Sequence, residues 1–433
     1  MSPPARVCVV GLGYIGLPTA VVLANAGHHV VGFDANPAVE RALADGRAVI
    51  REHLLDERLA QAVASGRLEA ASSPVPADAF ILAVPTPVHG LAHKRAELRH
   101  VTDAAEAVAP LLRPGNLVIL ESTSPPGTTE RVVRPVLERG SGLRAGADFR
   151  LAHCPERVLP GRIFHELVHN DRVIGGVDPA SAEAARDLYA SFVQGQVFLT
   201  DATTAELVKL MENTHRDVNI ALSNEFALVA QHLGVNVWEA IQLANRHPRV
   251  NLLQPGPGVG GHCIAVDPWF VVGAAPRFTP LIAASRMVND GMPLHVADLV
   301  AETLGGLDGK RVVALGVTYK ADVDDTRESP SAEVIEHLRR AGASVMVHDT
   351  VVQSDVAVED LALDADCLLL LVDHRAYARL DPGTIGPQMR HRIAVDTRNF
   401  LTLAPWIAAG FGIVRLGDGH RYGVPRSGQE GMA

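Results

Sequence analysis

Along the first half of the chain, short apolar runs alternate with stretches of helical spacing. Arg6–Val10, Val30–Asp34, Ala79–Val84, Leu117–Glu121 and Arg150–Cys154 read as buried strands, and Leu17–Ala26 is the first of the intervening helices. Strands alternating with helices imply a parallel sheet covered on both faces, ending near Thr200. A different texture follows. Thr203-Thr-Ala-Glu206 fits a capping box, and a helical pattern then runs without Gly or Pro to Gly234. Such a helix is about 45 Å long at 1.5 Å per residue. Trp238–Asn245 predicts a second helix, and a third starts at Thr279-Pro280, with proline at its first position, and runs past Val300. The Pro/Gly-rich stretch Pro255–Cys263 is a loop between them. Alternation returns with Arg311–Leu315, Ser344–His348, Cys367–Val372 and Ile393–Asp396. The pattern thus predicts three domains: a sheet domain over 1–201, an all-helical section over 202–308 and a second sheet domain over 309–433. The two sheets are expected to resemble each other in architecture only.

Length agrees, since 433 residues exceed one ordinary core. Hydrophobic residues at 47% against 20% charged describe a soluble globular chain. A formal charge of -10 gives no basic footprint for nucleic acid, so any anionic ligand needs local positive charge. No unbroken apolar stretch suits a membrane span, and the N-terminus enters a strand too soon for a signal peptide. The four cysteines are scattered, which argues against a disulfide framework or a metal knuckle and points to a reducing cytoplasm.

Gly11, Gly13 and Gly16 lie between a predicted strand and a predicted helix, the context that a dinucleotide fingerprint requires. They provide a tight turn, close backbone approach to a pyrophosphate and tight helix packing, with the helix N-terminus favouring the phosphate charge. Asp34 closes the second strand, placed to accept from ribose hydroxyls and to repel the extra phosphate of NADP, so NAD is the expected cofactor. The competing readings are a tight turn in another α/β protein, or FAD. The second sheet lacks this fingerprint and need not bind a second dinucleotide.

Cys8 and Cys367 sit inside predicted strands as inert core thiols. Cys154 follows a strand and lies near a site without acting in it. Cys263 closes Gly258-Val-Gly-Gly-His-Cys263, whose glycines give backbone amides freedom to surround an anion, and it leads to Asp267. A thiol amid amide dipoles can act as a nucleophile; the alternative is a packed cysteine in a turn. Lys209 and Asn213 share a helix face, Arg216 extends that row, and Leu207, Val208, Leu210 and Met211 are expected to be buried beside them. A lysine so placed would stabilise an oxyanion or act as a base; the alternative is a solvated polar stripe.

Together these segments resemble the UDP-glucose/GDP-mannose dehydrogenase family along nearly the whole chain. The resemblance is carried by Gly11–Gly16, Ala83-Val-Pro-Thr-Pro87, Glu121-Ser-Thr-Ser-Pro-Pro-Gly127 and Cys154-Pro-Glu-Arg-Val-Leu-Pro-Gly161, then by Asn170-Asp-Arg-Val-Ile-Gly-Gly176 and Asn245-Arg-His-Pro-Arg-Val-Asn251. Gln254–Phe270 and Asp325-Thr-Arg-Glu-Ser-Pro330 complete it, and the stretch around Cys263 is nearest to the branch acting on UDP-N-acetyl-D-mannosamine. The resemblance implies an α/β fold of two Rossmann-like, doubly wound parallel-sheet domains joined by a helical dimerisation domain, in a cytoplasmic homodimer. It implies oxidation of a nucleotide sugar's C6 alcohol to a uronic acid with two NAD, through a thiohemiacetal and a thioester on Cys263. Lys209 and Asn213 would stabilise the oxyanion, and Asp267 and Glu156 would handle protons and activate water. Tyr14, Ile15, Thr86, Thr123 and Arg327 join the glycines and Asp34 at NAD. Arg157, Val158, Arg216, His247, Arg249 and Gly260, with Tyr319, Lys320 and Arg398 from the last domain, surround the UDP-sugar.

Two departures stand out. Val266 replaces the lysine usual in UDP-glucose dehydrogenases, which disfavours plain UDP-glucose, and His89–His100 lacks the family's acidic, proline-containing pattern and is expected to be a surface loop. UDP-N-acetylglucosamine, UDP-glucose or a dTDP-hexose remain alternative substrates. Outside the family's reaction, the alternatives are a two-electron hydroxyacid dehydrogenase using Lys209 as base, or an inactive nucleotide-sugar sensor that retains NAD.

Overall fold

The apolar runs become strands because each can bury both faces. In the computed structural model, which describes residues 4–50, 52–89, 94–158, 161–353 and 355–423, the chain forms two compact units. One comprises Met1–Glu212 with Trp269–Phe278, the other Asn213–Pro268 with Thr279–Ala433.

The first unit is built on an eight-stranded sheet. Its strands are β1 (Arg6–Val10), β2 (His29–Phe33), β3 (Leu68–Ala71) and β4 (Ala79–Leu82), then, after a small hairpin of β5 (Val88–His89) and β6 (Arg95–Ala96), β7 (Leu117–Leu120), β8 (Arg150–His153), β9 (Arg172–Gly176) and β10 (Val197–Asp201). The order is β10-β9-β8-β7-β4-β1-β2-β3, parallel except where β9 meets β8. Val7 and Val9 face the helix Gly16–Asn25, and Cys8 and Val10 face the opposite layer around Val101 and Leu137. Several strands stop one or two residues before their apolar runs do, so Glu121 and Cys154 fall in the loops beyond the ladder. The segment 89–100 is not simply a loop: it holds β6 and the start of the helix Arg99–Val108, while 90–93 lies outside the described residues.

The second unit carries a six-stranded sheet of β11 (Arg311–Leu315), β12 (Ser344–His348), β13 (Cys367–Leu370), β14 (Ile393–Asp396), β15 (Gly412–Arg415) and β16 (Arg421–Tyr422). Its order is β12-β11-β13-β14-β15-β16, parallel up to the antiparallel edge strand β16. Val312 and Ala314 pack towards the helix Pro330–Arg340, and Val313 and Leu315 towards Tyr377 and Trp406. The helix Val237–Ala244 is capped by Asn236, and the Trp238 indole donates to the carbonyl of Leu416 at 2.8 Å.

The long helix runs over Ala202–Leu233. Its expected capping box does not form. Asp201 takes the cap role, accepting from the Thr204 N–H at 2.9 Å and its hydroxyl at 2.6 Å. Glu206 instead turns inward, accepting from the Gly127 N–H and from the N–H and hydroxyl of Thr129, because those loop donors are buried and need an acceptor. Leu210 is buried, but Leu207 and Met211 are exposed, contrary to expectation; the helix's inner face is the one bearing Glu206, Lys209 and Leu210.

Candidate active site

The strand order reverses between β1 and β4, so the crevice for a ligand opens at their C-terminal ends. The glycine turn lies there. Gly11 has φ 93°, and its N–H donates to Phe33 O at 2.8 Å; a Cβ on it would stand 2.5 Å from Ala83 O. A Cβ on Gly16 would collide with the carbonyl of Gly11, whereas one on Gly13 would meet nothing within 4 Å. That open cradle, beside the half-buried Tyr14 and Ile15 and the start of the Gly16–Asn25 helix, fits a pyrophosphate. Asp34 is half-exposed and accepts one N–H at each oxygen, from Leu12 and Asn36, both at 2.8 Å, which leaves lone pairs for a ribose. The next loops are knitted together: the Thr86 hydroxyl donates to Thr123 O at 2.7 Å, and the Ser122 hydroxyl to Val84 O at 2.7 Å.

Beyond β8, the Glu156 carboxylate is buried against Arg172 at 3.0 Å and accepts from the Arg157 N–H at 2.6 Å. Arg157 is committed to Glu212, with its Nη2 at 2.5 Å from that carboxylate, and donates to Asp171 O at 3.0 Å. Val158 is half-buried and packs against the first core. Burial pushes the Cys154 thiol up to about 12, which removes it as a nucleophile.

In the second unit, the loop around Cys263 is tightly packed rather than flexible. A Cβ on Gly258 would sit 2.8 Å from Pro330, one on Gly260 2.5 Å from Glu328 O, and one on Gly261 3.0 Å from the Tyr319 ring. The glycines therefore serve close approach, and the Gly261 N–H is used by Glu328 O at 3.3 Å. A buried polar chain holds the loop from beneath. Arg286 donates to Asp217 at 2.5 Å, Asn289 to Asp217 at 2.7 Å, Asn224 to Asn289 at 2.9 Å, and the Gly256 N–H to Asn224 at 2.9 Å. Cys263 is exposed, while Cys8, Cys154 and Cys367 are buried, and burial pushes Cys367 up to about 12. The Cys263 carbonyl accepts from Val266 at 3.1 Å and from Asp267 at 2.8 Å, which turns the chain into the helix Asp267–Ala274. Asp267 is buried and accepts from Asn213 Nδ2 at 2.5 Å. Lys209 is also buried, one helical turn before Asn213.

Tyr319, Lys320 and Arg398 lie beyond the C-terminal ends of β11 and β14. The Tyr319 ring covers Gly261, and the Arg398 guanidinium lies against Gly256 while donating to Asp373 at 3.2 Å. Arg327 forms a fork with Asp325, at 2.8 and 2.7 Å, beside His262. Burial, then the charge of Arg327, holds the His262 imidazole below its ordinary value. Arg216, His247 and Arg249 are exposed. Sequence reasoning passed over His262, Arg172, Glu121 and the Asp217–Asn224–Asn289 chain. A histidine directly before the cysteine and a glutamate ending an apolar run were visible signals. The Asn and Asp partners gave none, since their pairing is tertiary.

Among the described residues, no group of three His, Cys, Asp or Glu is placed to hold a metal, and no helix is long and apolar enough to cross a membrane. Three segments match the UDP-glucose/GDP-mannose dehydrogenase family: its NAD binding domain over residues 5–193, its central domain over 203–291 and its UDP binding domain over 313–403. A UDP-N-acetyl-D-mannosamine dehydrogenase of Methanococcus maripaludis is 44% identical over 425 residues, spanning 96% of this chain and 97% of its own. An NDP-N-acetyl-D-galactosaminuronic acid dehydrogenase of Ralstonia nicotianae is 46% identical, spanning 90% and 95%. Among solved structures, the UDP-D-ManNAc dehydrogenase of Pyrococcus horikoshii superposes with a TM-score of 0.90 at 43% identity, covering 96% of this chain and 99% of that one. With the fold, the dinucleotide cradle and all three segments in agreement, the chain belongs to the UDP-glucose/GDP-mannose dehydrogenase family, whose members are NAD-dependent nucleotide-sugar dehydrogenases.

Proposed function

We propose that this chain oxidises the C6 alcohol of UDP-N-acetyl-D-mannosamine to the uronic acid, through a covalent intermediate on Cys263. One observation carries the reading: of four thiols, only Cys263 is exposed, at a turn into the buried Asp267. NAD, when bound, would supply the hydride acceptor, one NAD being consumed in each of the two oxidations. The Cys263 sulfur adds to the C6 aldehyde as its proton leaves, and the oxygen that gains charge is stabilised by Lys209 and Asn213. Loss of the remaining C6 hydrogen as hydride leaves a thioester. Water then breaks the carbon–sulfur bond, with Glu156 and Asp267 handling protons, and returns the thiol with a carboxylate product. Gly11, Gly13, Gly16, Asp34, Thr86, Thr123 and Arg327 hold the cofactor in this scheme. Tyr319, Lys320 and Arg398 hold the nucleotide, with Arg216, His247, Arg249 and Gly260 around the sugar.

The expected yield is two NADH per sugar, and C263S should stop after at most one hydride transfer. Full multiple turnover by C263S would overturn the nucleophile. The Ralstonia relative favours a second reading, an N-acetylgalactosamine nucleotide, which differs in configuration at C2 and C4. NADH formation with each purified sugar nucleotide decides between them.

We further infer a cytoplasmic homodimer, in which residues 1–201 bind NAD, 202–308 dimerise and 309–433 bind the nucleotide. The long helix exposes Leu222, Phe226, Val229 and Leu233 at i, i+4, i+7 and i+11, an apolar stripe that a second copy would cover. F226E should sediment as a monomer; an unchanged oligomer would remove this face from the interface.

A further inference from the structure

Behind Glu156 lies a sealed polar cluster that the reaction scheme leaves unused. Arg172, on β9, has a side chain only 5% exposed, and Glu156 beside it 6%. Arg172 Nη2 donates to Glu156 Oε2 at 3.0 Å and to Leu167 O at 3.2 Å, and Nη1 points to the Cys154 sulfur at 3.7 Å. The guanidinium is clamped over the rings of Tyr189 and Phe192, 4.9 and 5.6 Å from their centroids. Glu121 follows β7 and is equally buried. The Tyr189 hydroxyl donates to its Oε1 at 2.9 Å and the Thr19 hydroxyl to its Oε2 at 3.2 Å.

The cluster therefore encloses one guanidinium and two carboxyl groups, with Glu121, from the segment after β7, joined by four other parts of the fold. Thr19 comes from the first helix, Tyr189 from the helix Pro179–Tyr189, Arg172 from β9, and Glu156 with Cys154 from the segment after β8. Two carboxylates against one cation would leave a net buried charge, which a dry interior does not tolerate. Arg172 contacts Glu156 directly, whereas Glu121 is met only by the hydroxyls of Thr19 and Tyr189, which, unlike backbone N–H groups, can turn to accept the proton of a neutral acid. The ionised place thus falls to Glu156 and the neutral one to Glu121. The direction of titration agrees: burial first, then the Glu156 charge, pushes Glu121 up to about 8.

We propose that Arg172 and Glu121 are positioning residues for Glu156. Arg172 fixes its carboxylate beyond the end of β8, and Glu121, as the neutral acid, leaves the guanidinium to Glu156 alone. This rests on the reading that Glu156 handles protons during turnover. Above the pH at which Glu121 ionises, it competes for Arg172 and Glu156 loses its fixed place. Through Thr19 the same device ties Glu156 to the helix that follows the glycine turn.

The test is the pH profile of NADH formation from UDP-N-acetyl-D-mannosamine by the full chain. The wild type should show an alkaline decline near 8; E121Q keeps the shape without the acid, so it should retain most of kcat at neutral pH and lack that decline. R172Q should lower kcat far more than it changes KM, because Glu156 then lies buried without its cation. R172K should restore part of that loss. Folding is read separately from the melting temperature of E121Q against wild type. A carboxyl raised in the folded state stabilises fully below its ordinary value of 4.5 and loses that contribution as pH rises to about 8, so the wild type should fall relative to E121Q across that window. An E121Q profile identical to wild type in both measurements overturns the proposal. E156Q with wild-type turnover would instead remove the reading beneath it, whatever Arg172 does.

Discussion

The first turns of the two sheets start from the same backbone device and end in opposite uses. After β1, Gly11 with φ 93° donates to the last carbonyl of β2, Phe33, at 2.8 Å; after β11, Gly316 with φ 94° donates to the last carbonyl of β12, His348, at 2.8 Å. The following N–H, of Leu12 or Val317, binds the aspartate just beyond the second strand, Asp34 or Asp349, at 2.8 Å in both. The likeness therefore reaches deeper than architecture, which is all the sequence pattern suggested. The difference lies in what surrounds each acid. Asp34 is half-exposed and has lone pairs to spare. Asp349 is fully buried, and its Oδ2 also receives Thr318 at 3.4 Å and His374 Nε2 at 3.0 Å, while its Oδ1 receives Val351 and Val352 at 2.8 and 3.2 Å. His374 is locked in that tautomer, since its Nδ1 accepts from the Asp322 N–H at 3.0 Å. The helix starts at Gly16 after the first turn, but only at Pro330 after the second. A strand-turn-acid geometry is thus a scaffold; a dinucleotide site also needs an acid with unused lone pairs and a helix end close behind the turn.

Exchanging the same substitution between the two acids is the strongest way to break this comparison. In D349N, an amide N–H₂ must face the N–H groups that the carboxylate accepts, and each buried donor left without an acceptor costs about 1–3 kcal/mol. We expect D349N to lose about 3 kcal/mol or more of unfolding free energy in denaturant titration, with the Kd for NAD within a factor of about two. D34N should do the reverse. Its half-exposed amide leaves stability within about 1 kcal/mol, while NAD affinity falls about tenfold or more, because ribose acceptors are lost. If D349N weakens NAD binding while D34N unfolds the chain, the two acids have been assigned the wrong tasks.

Much of this contrast was legible before the structure, and the part that was not has a physical cause. Strands such as Arg6–Val10, Arg311–Leu315 and Ser344–His348 were read to the residue because continuous apolar runs bounded by turn residues have few alternatives. Leu68–Ala71 and Val197–Asp201 were missed because they are edge strands, where burial on both faces is not required, and Arg172–Gly176 because its arginine and two glycines break the apolar run. Gly11, Gly13, Gly16 and Asp34 were found because a local spacing encodes them. Asp349 and His374 were not, since 25 residues separate them and only the fold makes one the donor to the other. Glu206 shows the converse error: a good local capping pattern lost to buried donors on a distant loop.

The finest test asks whether Asp349 carries its charge inside the fold. Burial by itself would raise its carboxyl, but the His374 hydrogen bond, the N–H groups of Val317 and Val351 and the proximity of His374 outweigh it and hold the group below the ordinary 3.8. A depressed carboxyl contributes stability that is present above 3.8 and lost as pH falls through the lower, folded-state value. D349N has no such proton to take up. The stability gap between wild type and D349N should therefore be level near neutral pH and close by about 1–2 kcal/mol on acidification below the ordinary aspartate value. Circular-dichroism melts of both proteins across that range would read it as a convergence of a few degrees in Tm. A gap that stays constant would mean that Asp349 is buried as the neutral acid. Its five contacts would then need a donor among them turned into an acceptor, and the backbone N–H groups of Val317, Thr318, Val351 and Val352 cannot do that.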